Sequence, residues 1–144
     1  MASEFTIKRR VEFSETDMAG IMHFSNFFRY MEAAEHAFIR SLGLSIVPAG
    51  YTPPIGWPRV SATCDYKRPL KFDDEVEVQL KVSAKTEKAV TYSFLFRKTG
   101  DPAVCATGSI TVVCVTIRDG RMQATFTPKE YADKIDCASE VKGT

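Results

Sequence analysis

The sequence predicts an α+β fold: one long helix placed early, wrapped by a five-stranded antiparallel sheet, with a short helix near the C-terminal end. Three observations lead there. Phe27, Tyr30, Met31, Ala34, Ala37, Phe38 and Leu42 recur at the three- and four-residue spacing of one helix face. Later segments alternate apolar and polar residues with the period of two that marks a half-buried strand. Phe28 and Ile39 broaden the helix stripe until only Arg29, Glu32, His36 and Arg40 form a clearly polar side. A helix gripped over more than half its circumference calls for a sheet that curls around it.

Taken in order, Phe5 to Phe13 alternates as a first strand, and Ser14 to Met22 is a loop carrying Glu15, Asp17 and Gly20. Ser25 is placed to cap the long helix and Gly43 to close it. A connection rich in Pro and Gly runs from Pro48 to Pro58. Strands follow at Val60, Ala62, Cys64 and Tyr66, then at Val76, Val78, Leu80 and Val82, then at Val90, Tyr92, Phe94 and Phe96, each with one face inward. Ile110 to Ile117 is apolar on both parities, the pattern of a strand covered on both faces, one cover being the helix and the other a second subunit. Gly100-Asp101-Pro102 and Asp119-Gly120 are turn sequences. Thr127-Pro128-Lys129-Glu130 has the spacing of a capping box with Pro at the first helical position, opening the short helix.

Residues 1–144 are expected to form a single domain, a length that lets a chain bury roughly two-thirds of its unfolded surface. Apolar residues make up 44% and charged residues 26%, which excludes a mainly disordered chain. A net charge of +1 with scattered Lys and Arg gives no one-sided basic footprint, so nucleic acid is not an expected partner. The N-terminal residues lack a basic stretch followed by an apolar one, and no apolar run is long enough to span a bilayer; the expectation is a cytoplasmic protein with no membrane partner. Cys64, Cys105, Cys114 and Cys137 form no C-x-x-C pair and read as free thiols, and neither His23 nor His36 stands at ligand spacing from a Cys. No metal and no cofactor is expected.

Chemistry concentrates between Val11 and Leu44, where a strand ends in Ser14-Glu15-Thr16-Asp17-Met18-Ala19-Gly20 and runs through His23-Phe24-Ser25-Asn26 into the helix. The first turn of a helix presents unpaired N–H groups and a partial positive charge. An acyl oxygen there can be polarised while Asp17 supplies a base or nucleophile. On spacing alone, a turn or cap aspartate explains Asp17 as well.

Asp17-x-x-Gly20-x-x-His23-Phe24-x-Asn26-Phe27 resembles the signature of the 4-hydroxybenzoyl-CoA thioesterase family of hot-dog-fold proteins. The likeness extends through Pro58-Arg59-Val60-Ser61, Tyr66-Lys67-Arg68-Pro69 and Asp73-Asp74-Glu75-Val76. It implies a long helix wrapped by an antiparallel sheet, paired into a homodimer with sites at the subunit interface, or a homotetramer of such dimers. It implies that the carboxylate at Asp17 attacks an acyl-CoA thioester or activates water, while the Phe24 backbone N–H holds the carbonyl oxygen. So sparse a site is chemically reasonable, because a thiol of pKa near ~8.5 leaves with little need of a general acid.

The same likeness places His23, Asn26, Glu32, Trp57 and Ser61 around the substrate, and Lys85 and Lys88 at the phosphates of coenzyme A. Each has a plainer reading. His23 can be packed beside the helix start, Asn26 can brace the loop that holds Asp17, and Glu32, Lys85 and Lys88 can be solvated. The expected activity is hydrolysis of an aromatic or short- to medium-chain acyl-CoA. The alternatives are a hydratase or dehydratase using Asp17 with His23, and an acyl-CoA-binding module without turnover.

Overall fold

A computed structural model describes residues 2–138 of the chain. β1 (Glu4–Arg10) leads through a 3-10 turn (Phe13–Glu15) to α1 (Ser25–Ser41), and then come β2 (Ile55–Gly56), β3 (Arg59–Tyr66), β4 (Glu75–Lys85), β5 (Ala89–Lys98), β6 (Val104–Val113), β7 (Val115–Arg118), β8 (Arg121–Ala124) and α2 (Lys129–Ala132). The main sheet has five strands in the order β1-β4-β5-β6-β3, every neighbouring pair antiparallel. Its inner face holds α1, as the hot-dog arrangement requires.

Strict alternation puts Val76, Val78, Leu80 and Val82 of β4 and Val90, Tyr92, Phe94 and Phe96 of β5 inside, each 2% exposed or less. Opposite them lie Phe27, Tyr30, Met31, Ala34, Phe38 and Ile39 of α1, all buried. Burial of each larger side chain contributes about 1.5–3 kcal/mol relative to exposure. Closest approach falls at Gly108 of β6, where a Cβ would stand 2.5 Å from Met31 Sδ and 3.2 Å from the Thr63 carbonyl. Only glycine lets the helix sit that low on the sheet.

Five local expectations are corrected. α1 begins at Ser25 with helical φ and ψ already at Phe24 and no side-chain cap; the Ser25 hydroxyl meets His23 Nδ1 instead, at 2.7 Å. A missing cap costs about 1 kcal/mol, little beside the buried stripe, and the first amides of α1 turn instead to His23 Nδ1 and to the His23 and Phe24 carbonyls. Thr127 likewise does not cap α2. Pro128 stays extended in ψ at 144°, α2 starts one residue later, and the Thr127 hydroxyl is buried with no partner among the described residues.

The apolar run Ile110 to Ile117 is two strands. The chain leaves the main sheet at Cys114 and enters a second sheet of order β2-β7-β8, so Val112 belongs to the main sheet and its core and Val115 to the second sheet. Apolar residues on both parities mark a change of sheet here. The Asp119-Gly120 turn joins β7 to β8 with both residues at positive φ, 51° and 72°, as a two-residue hairpin requires. β3, finally, does not turn one face inward: it is one of the two edge strands, and Val60 and Tyr66 are 61% and 46% exposed. The first strand also stops at Arg10, with Phe13 turned out against Phe72 at 5.9 Å.

Candidate active site

Asp17 sits in a tight reversal between Thr16 and Met22, which bridge to each other. Its N–H donates to the Ile21 carbonyl at 2.9 Å, and its carbonyl accepts from the Gly20 N–H at 3.0 Å. Gly20 has φ +81°, a conformation glycine adopts freely. One carboxylate oxygen, Oδ1, accepts the Ala19 N–H at 2.9 Å, an Asx turn that fixes the side chain. Among the described residues Oδ2 has no hydrogen-bond partner.

The reversal is bolted down on both sides. Met22 N–H donates to the Leu70 carbonyl at 2.7 Å and His23 N–H to the Glu15 carbonyl at 2.8 Å. Asn26, 9% exposed, donates from Nδ2 to the same Glu15 carbonyl at 2.9 Å. The next amide, that of Phe24, has no partner among the described residues. It lies at the position preceding α1, where the helix presents unsatisfied donors and partial positive charge.

Asp17 and Phe24 open onto one cavity of about 450 Å³, lined also by Ile21, Met22, Phe27, Tyr66, Leu70 and the rim residues Lys67 and Arg68. Its wall is aromatic. The Tyr66 ring meets Phe27 edge-on at 5.0 Å and its hydroxyl donates to the Phe24 carbonyl at 3.1 Å. A carboxylate with a spare oxygen, a free helix-start amide and an apolar wall can together receive an ester carbonyl, stabilise its developing negative charge and direct a nucleophile at its carbon.

The other predicted site residues lie apart from this cavity. His23 stacks on Phe24 at 4.5 Å between ring centres and receives the Ser25 N–H at 3.3 Å, which makes it part of the helix start. Asn26 is spent on its brace to Glu15. Glu32 is exposed and pairs with Arg59 at 3.3 Å, in a separate groove of about 240 Å³ with Phe28, Arg29, Ala62 and Ile110. Ser61 is exposed on β3 opposite Thr111. Trp57 packs on Tyr131 at 5.5 Å with its Nε1–H buried and without a partner among the described residues.

Lys85 donates to the carbonyls of Ala132 and Ile135 at 2.6 and 2.7 Å, which ties its ammonium to the end of α2 rather than leaving it free for phosphate. Lys88 lies over the Phe126 ring at 5.0 Å. The cations that do border the cavity are Lys67 and Arg68, whose N–H groups both donate to the Cys105 carbonyl. A second missed feature is Glu35, fully buried in α1 and paired with Arg59. Burial pushes its carboxyl up, opposed by the bonds to Arg59. The available sign was a glutamate inside the Met31-Ala34-Phe38 stripe.

Residues 11–135 match the thioesterase-like superfamily. A putative esterase of Aquifex aeolicus (strain VF5) is 41% identical over 96 residues, 65% of this chain and 73% of that protein. The 1,4-dihydroxy-2-naphthoyl-CoA hydrolase of Prochlorococcus marinus (strain MIT 9313) is 29% identical over 98 residues, 63% of this chain and 65% of that protein. A solved gentisyl-coenzyme A thioesterase superimposes with a TM-score of 0.75 at 29% identity, over 89% of this chain and 99% of that one. With a match that runs from the end of β1 past α2 and takes in the Asp17 reversal, the helix start and the cavity wall, the chain belongs to the thioesterase-like superfamily.

Proposed function

We propose that the protein is an acyl-CoA thioesterase in which Asp17 is the base or nucleophile and the Phe24 amide holds the carbonyl oxygen. One observation carries this reading: Asp17, with a spare carboxylate oxygen, and Phe24, with an amide unpartnered among the described residues, line the same cavity. Negative charge that builds on the acyl oxygen would meet the helix-start amide, while the thiolate leaves without protonation. No metal or cofactor is required beyond the coenzyme A of the substrate.

An aromatic acyl group fits best. The cavity wall of Phe24, Phe27 and Tyr66 supports it, as do relatives named for 1,4-dihydroxy-2-naphthoyl-CoA and gentisyl-coenzyme A. Lys67 and Arg68 on the rim are suited to the phosphates of coenzyme A, Arg68 as a fork and Lys67 as a point charge. The apolar side chains exposed on the outer strand β3 support a homodimer. Four free thiols support a cytoplasmic setting, and among the described residues no helix is long and apolar enough to cross a membrane.

Thiol release measured over a panel of aryl and aliphatic CoA esters tests the proposal. The expected result is turnover with kcat/KM at least tenfold higher for hydroxylated aryl esters than for straight-chain ones. Hydration of crotonyl-CoA without thiol release would favour the hydratase, and heat protection by acyl-CoA with no thiol released over hours would favour a binding module.

A further inference from the structure

Glu15 joins the two halves of the proposed site. It precedes Asp17 by two residues, and its carbonyl receives the N–H of His23, the residue before Phe24, at 2.8 Å and Asn26 Nδ2 at 2.9 Å. Its carboxylate is equally occupied: Oε1 accepts the Glu12 N–H at 2.9 Å and the Tyr30 hydroxyl at 2.6 Å. One residue thus gathers the end of β1, the Asp17 reversal, the helix start and the next turn of α1.

Tyr30 is the unexpected partner. Its side chain is 0% exposed, and the Arg9 guanidinium lies 4.6 Å from the centre of its ring. Phenylalanine would fill the same core volume without a hydroxyl to satisfy, and a buried hydroxyl is costly unless it is bonded. Burial, then the bond to Glu15, push the phenol far above its ordinary range, so it donates at every working pH. The donated bond is charge-assisted and aimed at the residue whose backbone sets the spacing of the reversal from the helix.

We propose that Tyr30, acting through Glu15, is a positioning residue for the hydrolysis: the pair forms a strut that holds the Asp17 carboxylate at working distance from the Phe24 amide. The strut rests on Asp17 and that amide being the reacting pair. Displacements of about 1 Å in such a geometry cost up to about 100-fold in rate.

The test compares Tyr30→Phe, Glu15→Gln, Glu15→Ala, the double variant Tyr30→Phe/Glu15→Ala and Asp17→Asn by steady-state thiol release, with thermal melting of each. Tyr30→Phe is expected to lower kcat about tenfold with KM within about twofold, and to melt within about 5 °C of wild type. Glu15→Gln keeps an oxygen that can accept both bonds and should retain most of kcat. Glu15→Ala, which changes a partly exposed side chain and also frees the Glu12 N–H, should lose at least as much as Tyr30→Phe, and the double variant no more than Glu15→Ala alone. A kcat for Tyr30→Phe within twofold of wild type, or losses that multiply in the double variant, overturns the strut. Asp17→Asn separates the two claims: if it stays active, the reacting pair was misassigned, whereas if it is dead while Tyr30→Phe and Glu15→Ala turn over normally, only the strut is wrong.

Discussion

Asp17 combines a turn-closing bond with the role proposed for it in the reaction. Oδ1 closes the Asx turn with Ala19, the ordinary work of a turn aspartate, and this leaves Oδ2 without a partner among the described residues on a residue that lines the cavity. The same division holds at Phe24: its amide belongs to the proposed reaction, while its ring, 60% exposed, is part of the cavity wall. A backbone donor survives truncation of its side chain. Phe24→Ala should therefore raise KM several-fold by removing apolar contact while leaving kcat within about threefold, a pattern steady-state kinetics resolves directly. A collapse of kcat with KM unchanged would mean that the ring, not the amide, does the work.

α1 illustrates how an element can serve a site by being imperfect at one end. Its stability comes from the stripe against the sheet, so its N-terminus does without a side-chain cap, and the Phe24 amide just before it has no partner among the described residues. The same helix carries a buried carboxylate in its middle, Glu35, held by Arg59, which Glu32 also contacts. Burial raises the Glu35 carboxyl in the folded state. Such a group stabilises the fold fully only below its unfolded value of ~4.3 and withdraws that contribution as pH climbs through the folded value. The stability of wild type relative to Glu35→Gln should thus fall as pH rises from about 4 toward 8, as urea titrations across that range would read. A relative stability that is constant or rises with pH would contradict burial as the dominant influence on Glu35.

At the scale of the molecule, the outer strand β3 ends at Tyr66, beside the cavity, and leaves Val60 exposed, so the same edge borders the site and offers a surface for a second subunit. Val60→Asp changes a side chain that is 61% exposed in the single chain. It should leave the fold intact yet convert the proposed dimer to monomer by sedimentation and lower thiol release with it. A variant still dimeric would place the interface elsewhere. What the sequence made legible is what is local: the Asp17 reversal with Gly20, the helix stripe ending at Gly43, the alternation of β4 and β5, and the brace from Asn26. What it hid depends on distant segments meeting. Lys67 and Arg68 border the cavity only because β3 ends beside the helix start, and Lys85 reads as a solvated turn lysine until α2 folds back and presents two carbonyls. Glu35 vanishes into an apolar stripe because its partner Arg59 lies 24 residues away. The run Ile110 to Ile117 carries two sheets in one apolar stretch, and periodicity alone has no mark for the crossing at Cys114.

The most direct measurement of the central claim is single-turnover thiol release from an aryl-CoA thioester by Asp17→Asn beside wild type, with substrate-induced melting shifts recorded on both. Loss of the carboxylate charge at nearly constant shape should slow release at least about 100-fold while the melting shift persists. Release at the wild-type rate from a variant that still binds would contradict the account.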